Sequence, residues 1–401
     1  MYKRILTTAV LAGGVSFGAM AADIGANTTV DGQAFFDFSH VTNQQNGTDV
    51  APTGTGFEVK RAYLIVNHTF DDVFSANLTT DAQYVASSSG SGFSSSSTSN
   101  SGGVTELFVK LLYLQAKLND AFVVHAGSYN SPWTSYVQNL YGYRWVEKTE
   151  TDRLGFAQTA DWGLNASGVA GGNGLFNYSA SVVDGGGYKN PTRTKDVDFE
   201  GQVGVKPLSW LNVGAGFYSG HLGEITQTTA NYASNTATRW DVAAAVVTGR
   251  VRVGAEYFDA KNFKTANAST GVLSGPGGVV VANTATGAVV SDEADGVSTW
   301  ASYAFTPQWS VFARYDQAKP SKDHLPDLKD TYYNFGVAFK PVKPLDLGLV
   351  YKREKVTDGT VSVSGADGNS SITIGGTGAA GTGAATSGSY DEVGLYAQYT
   401  F

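Results

Sequence analysis

Apolar and polar side chains alternate with a period of two residues along many short segments of this 401-residue chain. In the last of these segments Val393, Leu395 and Tyr399 alternate with Gly394 and Gln398. Successive side chains of a β-strand point to opposite faces, so each segment predicts a strand with one apolar and one polar face. The same alternation recurs over 74–84, 197–205, 211–218, 240–246, 251–257, 309–316 and 345–352. The pattern predicts an all-β protein.

The connections between these segments alternate between short turns and long polar stretches. The short turns, which contain Gly, Pro, Asn, Asp or Thr, lie near 71–72, 119–120, 171–173, 207–209, 248–249, 306–308 and 341–344. The long stretches span approximately 40–56, 87–103, 130–158, 184–196, 220–236, 260–296, 317–330 and 354–389. Such alternation joins about sixteen strands and is typical of a transmembrane antiparallel β-barrel with short periplasmic turns and long extracellular loops.

The N-terminus has the three parts of an export signal. Lys3 and Arg4 precede the apolar stretch 5–18, and Ala19-Met20-Ala21 forms a small-x-small cleavage site. We therefore expect residues 1–21 to be a cleaved signal peptide and residues 22–401 to form a single transmembrane β-barrel domain.

Composition argues against several other classes of protein. The chain contains no Cys, which excludes disulfide scaffolds and Cys-ligated metal sites, and its net charge of −8 disfavours a nucleic-acid partner. The five His lack metal-ligand spacing, and the G-x-G-x-x-G match at 376–381 has no following helix. We therefore expect no catalytic residue, no metal and no cofactor.

Several segments resemble the phosphate-selective porin O/P family. They are Phe57–Val66, Leu112–Leu118, His125–Trp133, Tyr143-Arg144 and Asp161–Leu164. The resemblance implies a sixteen-stranded trimeric diffusion channel, in contact with lipid and lipopolysaccharide, in the outer membrane of a Gram-negative bacterium. The terminal Phe401 is similar to the signal by which such barrels engage the barrel-assembly machinery.

The charged residues on the polar faces of the strands indicate which ions the pore would prefer. Strand parity points basic side chains inward at Arg61, Arg252, Arg314 and Lys352, and acidic ones at Asp81, Asp198, Glu200, Asp241, Glu256, Asp316 and Asp346. Carboxylate rings favour cations and basic rings favour anions. Two alternatives therefore remain open. The inward-facing charges favour a weakly selective or cation-preferring pore, whereas the resemblance implies selectivity for anions such as phosphate.

The resemblance also implies that the third long loop, 130–158, folds into the barrel as a constriction loop. The expected pore-lining side chains are Arg61, Asp81, Arg144, Glu147, Lys148, Arg153, Arg252, Arg314 and Asp316. The alternative is an ordinary extracellular loop that packs on the rim.

The function that the sequence favours is passive diffusion of ions and small hydrophilic solutes through a water-filled outer-membrane porin. The alternative is a secreted or surface-exposed β-rich adhesin or receptor that acts through its long loops.

Overall fold

The computed structural model describes residues 22–25, 27–85, 104–191, 193–223, 236–267, 272–274, 291–367, 370–375 and 387–401. The expected signal peptide, 1–21, and the low-complexity part of the loop at 87–103 lie outside the described residues.

The described chain is almost entirely β-strand, with two helices between the sixth and seventh strands. The elements are β1 (Ala22–Gly25), β2 (Thr28–Gln45), β3 (Thr48–Thr69), β4 (Phe74–Val85), β5 (Val104–Asn119), β6 (Phe122–Asn130), α1 (Pro132–Tyr141), α2 (Glu150–Arg153), β7 (Ala160–Ala170), β8 (Phe176–Val183), β9 (Asp198–Leu208), β10 (Leu211–Gly220), β11 (Ala237–Val247), β12 (Val251–Lys261), β13 (Thr265–Asn267), β14 (Val272–Ser274), β15 (Glu293–Ala304), β16 (Trp309–Lys319), β17 (Lys329–Val342), β18 (Leu345–Thr357), β19 (Thr360–Asp367), β20 (Ser370–Gly375) and β21 (Ser387–Thr400). A single 3₁₀ turn, Gly172–Gly174, joins β7 to β8 within this part of the chain.

Sixteen strands form a closed antiparallel barrel, which confirms the predicted fold class. Each wall strand pairs with its sequence neighbour, from β2 through β12 and from β15 through β18 to β21. The pairing of Phe36 with Ala397 between β2 and β21 closes the cylinder. The short strand β1 pairs with the beginning of β2 and makes a seventeenth member of the described sheet.

All seven predicted short turns lie between consecutive wall strands at one end of the barrel, here called the short-turn rim. The opposite end, the long-loop rim, differs from the prediction at 40–56, where β2 and β3 continue as paired strands up to a turn at Asn46 and Gly47. Both turn residues have positive φ, 49° and 79°, as a tight hairpin requires. Apolar and polar side chains do not alternate here because both faces of the hairpin tip are polar. The sequence alone therefore predicts a loop.

The outer surface of the barrel is apolar, as the parity of the strands predicts. Leu114, Val203, Leu349 and Leu395 are each more than half exposed although they lie in the middle of strands. Aromatic side chains are exposed close to the short-turn rim at Phe70, Trp210, Phe305, Trp309, Tyr399 and Phe401. An apolar band bordered by aromatic residues is what a barrel presents to lipid.

Neither α1 nor α2, the α-helices of the described ranges, has the length and apolar character of a membrane span.

An apolar cluster fills part of the interior near the long-loop rim. Its wall members, which include Tyr218, Phe258 and Val356, lie close to the loop ends of their strands. Segments outside the wall strands contribute further members, of which eight are here called the mouth cluster: Leu154, Phe156, Leu325, Leu328, Val361, Val363, Ile372 and Ile374. The last four belong to the antiparallel hairpin β19–β20, which lies within the last of the long stretches, 354–389. A backbone pairing of Val272 with Thr360 joins this hairpin to β14 of another loop.

Candidate functional site

The segment between β6 and β7 lies inside the barrel, where its two helices contact inward-facing side chains of the wall. The helix α1 contacts β8 to β12, and α2 contacts β15 and β19. The hydrogen bond from Ser131 N to Thr159 O, 3.0 Å, brings the two ends of the segment together at the wall. The geometry is that of a loop folded into the lumen of the barrel.

Local sequence signals fix both ends of α1. Pro132 occupies the first turn, where its missing N–H costs nothing, and Gly142 follows the helix with φ 77° and donates to Gln138 O at 2.9 Å. Arg252, predicted to line the pore, donates from Nη1 to the carbonyl oxygens of Asn139 and Leu140 at 2.5 and 2.6 Å. Its guanidinium therefore satisfies carbonyls at the helix C-terminus, where a cation is favourable.

Two aromatic rings of α1 pack against glycines of β10. A Cβ at Gly214 would lie 2.4 Å from the Tyr136 ring, and a Cβ at Gly216 would lie 2.5 Å from the Trp133 ring. Trp133 also donates from Nε1 to Glu256 Oε1 at 2.8 Å. These glycines allow the helix to approach the wall so closely, and any larger residue would displace the rings.

After α1, aromatic side chains of the segment pack against β16 and β18. The Tyr143 ring stacks on Phe312 with centroids 4.3 Å apart, and Tyr143 Oη lies 3.2 Å from Ser310 Oγ. Trp145 lies against Gly348, where a Cβ would be 2.7 Å from its ring. The segment therefore spans the lumen from β10 to β18.

A mixed-charge network surrounds Glu147. Lys352 Nζ lies 3.2 Å from Glu147 Oε2 and 3.4 Å from Glu392 Oε2. Lys60 Nζ lies 3.0 Å from Asp37 Oδ2 and 3.8 Å from Glu392 Oε1. Burial acts to raise the pKa of the Glu147 carboxyl, but Lys352 and Lys60 outweigh it and lower that pKa to about 2. Glu147 is therefore ionised at neutral pH.

Arg153 is the centre of a second network. It is buried and lies 2.5 Å from Glu354 Oε1, 2.8 Å from Asp330 Oδ2 and 3.5 Å from Asp316 Oδ2. Arg314 binds the same Asp316 at 2.5 Å and donates to the carbonyl oxygen of Lys148. Two arginines, one from the loop and one from the wall, thus share a carboxylate and join the loop to β16.

The remaining predicted residues lie in the same region. Arg61 donates to Asp81 Oδ2 at 2.9 Å, and Arg144 Nη2 lies 3.8 Å from Asp152 Oδ2. Burial lowers the pKa of Lys148 to about 7; Asp152 opposes this effect, and Arg61 and Arg144 add to it. The structure therefore places all nine predicted side chains on the lumen wall or on the loop inside it: Arg61, Asp81, Arg144, Glu147, Lys148, Arg153, Arg252, Arg314 and Asp316.

Sequence parity missed two kinds of charged group. Lys60 and Arg61 are both buried in the interior although they are adjacent, because the β2–β3 register shifts between Phe35 and Phe36 and a bulge adds one residue to β3. Glu150 of α2 is also buried, and neither of its carboxylate oxygens has a hydrogen-bond partner among the described residues. The sequence FEVKRAY contains no signal for the bulge. The burial of Glu150 depends on long-range packing.

No family model and no curated protein sequence matches the chain. Solved structures do match it over nearly the whole length. The outer-membrane channel DcaP of Acinetobacter baumannii has a TM-score of 0.59 and 15% identity, covering 98% of this chain and 100% of that one. The anion-selective porin of Comamonas acidovorans has a TM-score of 0.58 and 11% identity, covering 93% and 99%.

A trimer form of OmpT, an outer-membrane protein of Vibrio cholerae, has a TM-score of 0.52 and 14% identity, covering 94% of this chain and 100% of that one. The chain has the porin fold. It is a multi-pass β-barrel of the bacterial outer-membrane type, and the likeness at this level of identity concerns architecture.

Proposed function

We propose that this porin-fold chain forms a water-filled channel in the outer membrane for passive diffusion of ions and small hydrophilic solutes. One observation carries the proposal: a closed barrel with an apolar outer face encloses many charged and amide side chains. In a membrane such side chains are tolerated only where they line water or one another. A surface adhesin would have no need of a charged interior.

We further propose that segment 130–158 narrows this channel and sets its ion preference. The support is its set of contacts with β10, β12, β16 and β18, through Trp133, Arg153 and Glu147. Asp and Glu outnumber Lys and Arg among the buried side chains of the described ranges. An excess of carboxylate favours cations, so we propose a mild cation preference in place of phosphate selectivity.

Planar-bilayer recording tests the proposed function directly. The refolded protein in detergent is expected to insert and to give discrete current steps, with a reversal potential in a KCl gradient that has the sign for K⁺ preference. Protein that remains monodisperse in buffer without detergent, and never makes the bilayer conduct, would contradict the proposal and support a surface-exposed binding module. A reversal potential of the opposite sign would contradict the cation preference alone.

The ion preference should depend on pH because Lys148 of the loop titrates inside the lumen. Burial lowers the pKa of Lys148 to about 7. Lys148 is therefore positive below pH 7 and neutral above it. The lumen therefore loses positive charge as the pH rises, and cation preference is expected to increase between about pH 6 and pH 8.

Reversal potentials measured at both pH values check this prediction. Lys148→Met should give increased cation preference already at the lower pH and should reduce the pH dependence. Lys319→Met removes an exposed lysine at the end of β16 and should leave the dependence unchanged. An identical pH profile in Lys148→Met and the unmodified protein would contradict the assignment.

For processing and assembly we propose cleavage of residues 1–21, a single domain over 22–401, a homotrimer, contact with lipid and lipopolysaccharide, and insertion by the barrel-assembly machinery through Phe401. The trimer form of the V. cholerae structure supports the proposed homotrimer. Phe401 is half exposed, and its backbone pairs with Gly32 at 2.9 and 3.0 Å, so the last residue ends the closing strand at the short-turn rim.

A further inference from the structure

A cavity of about 590 Å³ lies between α1 and the inner face of β6 to β10. It extends to the short-turn rim, since Asp120 and Gly171 from two of the turns are among its lining residues. The lining includes Tyr129, Tyr136, Asn139, Asn177, Gln202 and Asn212. Ligand pockets for small molecules typically have volumes of roughly 300–1,000 Å³, so the cavity has room for a solute of disaccharide size.

The lining of this cavity is neutral and rich in hydrogen-bonding groups. Amides and hydroxyls dominate it, and its two charged side chains, Asp120 and Lys206, are both exposed at the rim. The ion pairs of Arg153 and Glu147 belong to the other side of α1 and contribute no residue to it. The helix α1 thus separates the ion pairs of Arg153 and Glu147 from a cavity whose buried lining consists mainly of amides and hydroxyls.

Polar atoms of the lining are available to a solute. Asn177 Oδ1 accepts from Gln202 Nε2 at 2.9 Å, which fixes the orientation of both amides. Both amides belong to the lining, together with those of Asn139 and Asn212. Tyr136 Oη is buried and has no hydrogen-bond partner in the described part of the chain, so Tyr136 offers the cavity its ring and the hydrogen-bonding groups that a solute meets are the amides.

We propose that this cavity is a binding subsite for neutral polyhydroxylated solutes of mono- to disaccharide size that pass through the channel. The inference rests on the proposed channel function and names a solute class for it. Amide and hydroxyl groups exchange hydrogen bonds with sugar hydroxyls, and the Tyr136 ring supplies a flat apolar face held against Gly214. The absence of a buried cation from the lining disfavours phosphate at this position, because anion sites use Arg and Lys.

Solute block of the ion current tests this subsite. In bilayers containing the full-length channel, maltose is expected to reduce the K⁺ current saturably, with a lower half-blocking concentration when added on the short-turn side. Inorganic phosphate at the same concentration should have no saturable effect. Gly214→Ala would displace the Tyr136 ring and Gln202→Leu would remove an amide, so each is expected to weaken the maltose block about three- to tenfold. Asn77→Leu, a buried lumen amide outside the cavity, is the matched control.

The outcomes separate this inference from the channel function. A conducting channel with saturable maltose block that weakens in Gly214→Ala and Gln202→Leu, but not in Asn77→Leu, supports the subsite. A channel that conducts but shows no saturable block by maltose overturns the subsite and leaves the channel function intact. The same conclusion follows if Asn77→Leu weakens the maltose block as much as the two cavity variants do. Saturable block by phosphate but not by maltose also overturns it. A protein that does not conduct at all overturns the channel function itself.

Discussion

Removal of the β19–β20 hairpin, Thr360–Gly375, is expected to raise single-channel conductance by about twofold or more, because pore diameter limits the flow of ions. The hairpin places Val361, Val363, Ile372 and Ile374 among the apolar side chains inside the long-loop rim. Its strands contact β2 and β3 on one side of the barrel and α2 in the lumen. The hairpin therefore occupies space through which ions would otherwise pass.

The barrel wall should survive this deletion. β18 and β21 pair with each other over the register from Leu345–Tyr399 to Thr357–Ser387, and none of those pairs involves the hairpin. Loops outside the membrane also tolerate changes in length at small cost in closure entropy. Resistance of the variant to SDS at room temperature would report that the wall is intact.

A point substitution gives an independent measurement of the same effect. Val363→Asp puts a charge into the mouth cluster, where burial of an unpaired carboxylate is unfavourable. The substitution is therefore expected to release the hairpin and to raise the conductance to a value between those of the unmodified protein and the deletion variant. Thr373→Asp, on an exposed hairpin position, is the matched control and should change conductance little. An unchanged conductance in both the deletion and Val363→Asp would show that the mouth cluster lies beside the conduction path.

Most of the wall could be predicted from the sequence because hydrocarbon imposes a strict rule on it. Side chains such as Val203 and Leu395 must face lipid while their neighbours face water, so the pattern of period two is preserved along most of the wall. The rule weakens outside the hydrocarbon. That is why the extension of β2 and β3 to Asn46 and Gly47 has no apolar alternation to identify it.

The sequence predicts many of the residues in the interior, although it misses Lys60 and Glu150, and it does not predict what those residues contact. Parity and resemblance together select Arg252, yet its two short bonds to the end of α1 depend on where that helix packs. The neutral cavity likewise depends on Tyr136 meeting Gly214, two positions joined only by tertiary structure. Long-range contacts of this kind leave no periodic signal in a single sequence.

Arg153→Met is expected to destabilise the packed state of the loop by about 3–5 kcal/mol, because it leaves buried carboxylates without their cation. Glu354 and Asp330 lie 2.5 and 2.8 Å from the guanidinium, whereas Asp316 keeps Arg314 at 2.5 Å. The loop should then become accessible to protease, and the loss of a positive charge should shift the reversal potential towards cations. Both measurements use the channel in detergent or bilayer without other changes.

Two further variants distinguish charge pairing from simple packing. Arg153→Lys keeps the charge but loses the geometry by which one guanidinium binds two carboxylates, so a partial effect is expected. Glu354→Gln in the Arg153→Met background removes one of the orphaned charges, and the double variant should regain about 1–3 kcal/mol relative to the sum of the single variants. Strict additivity would show that Arg153 acts through its bulk alone. A double variant that recovers protease resistance would show that pairing with Glu354 holds the loop inside the lumen.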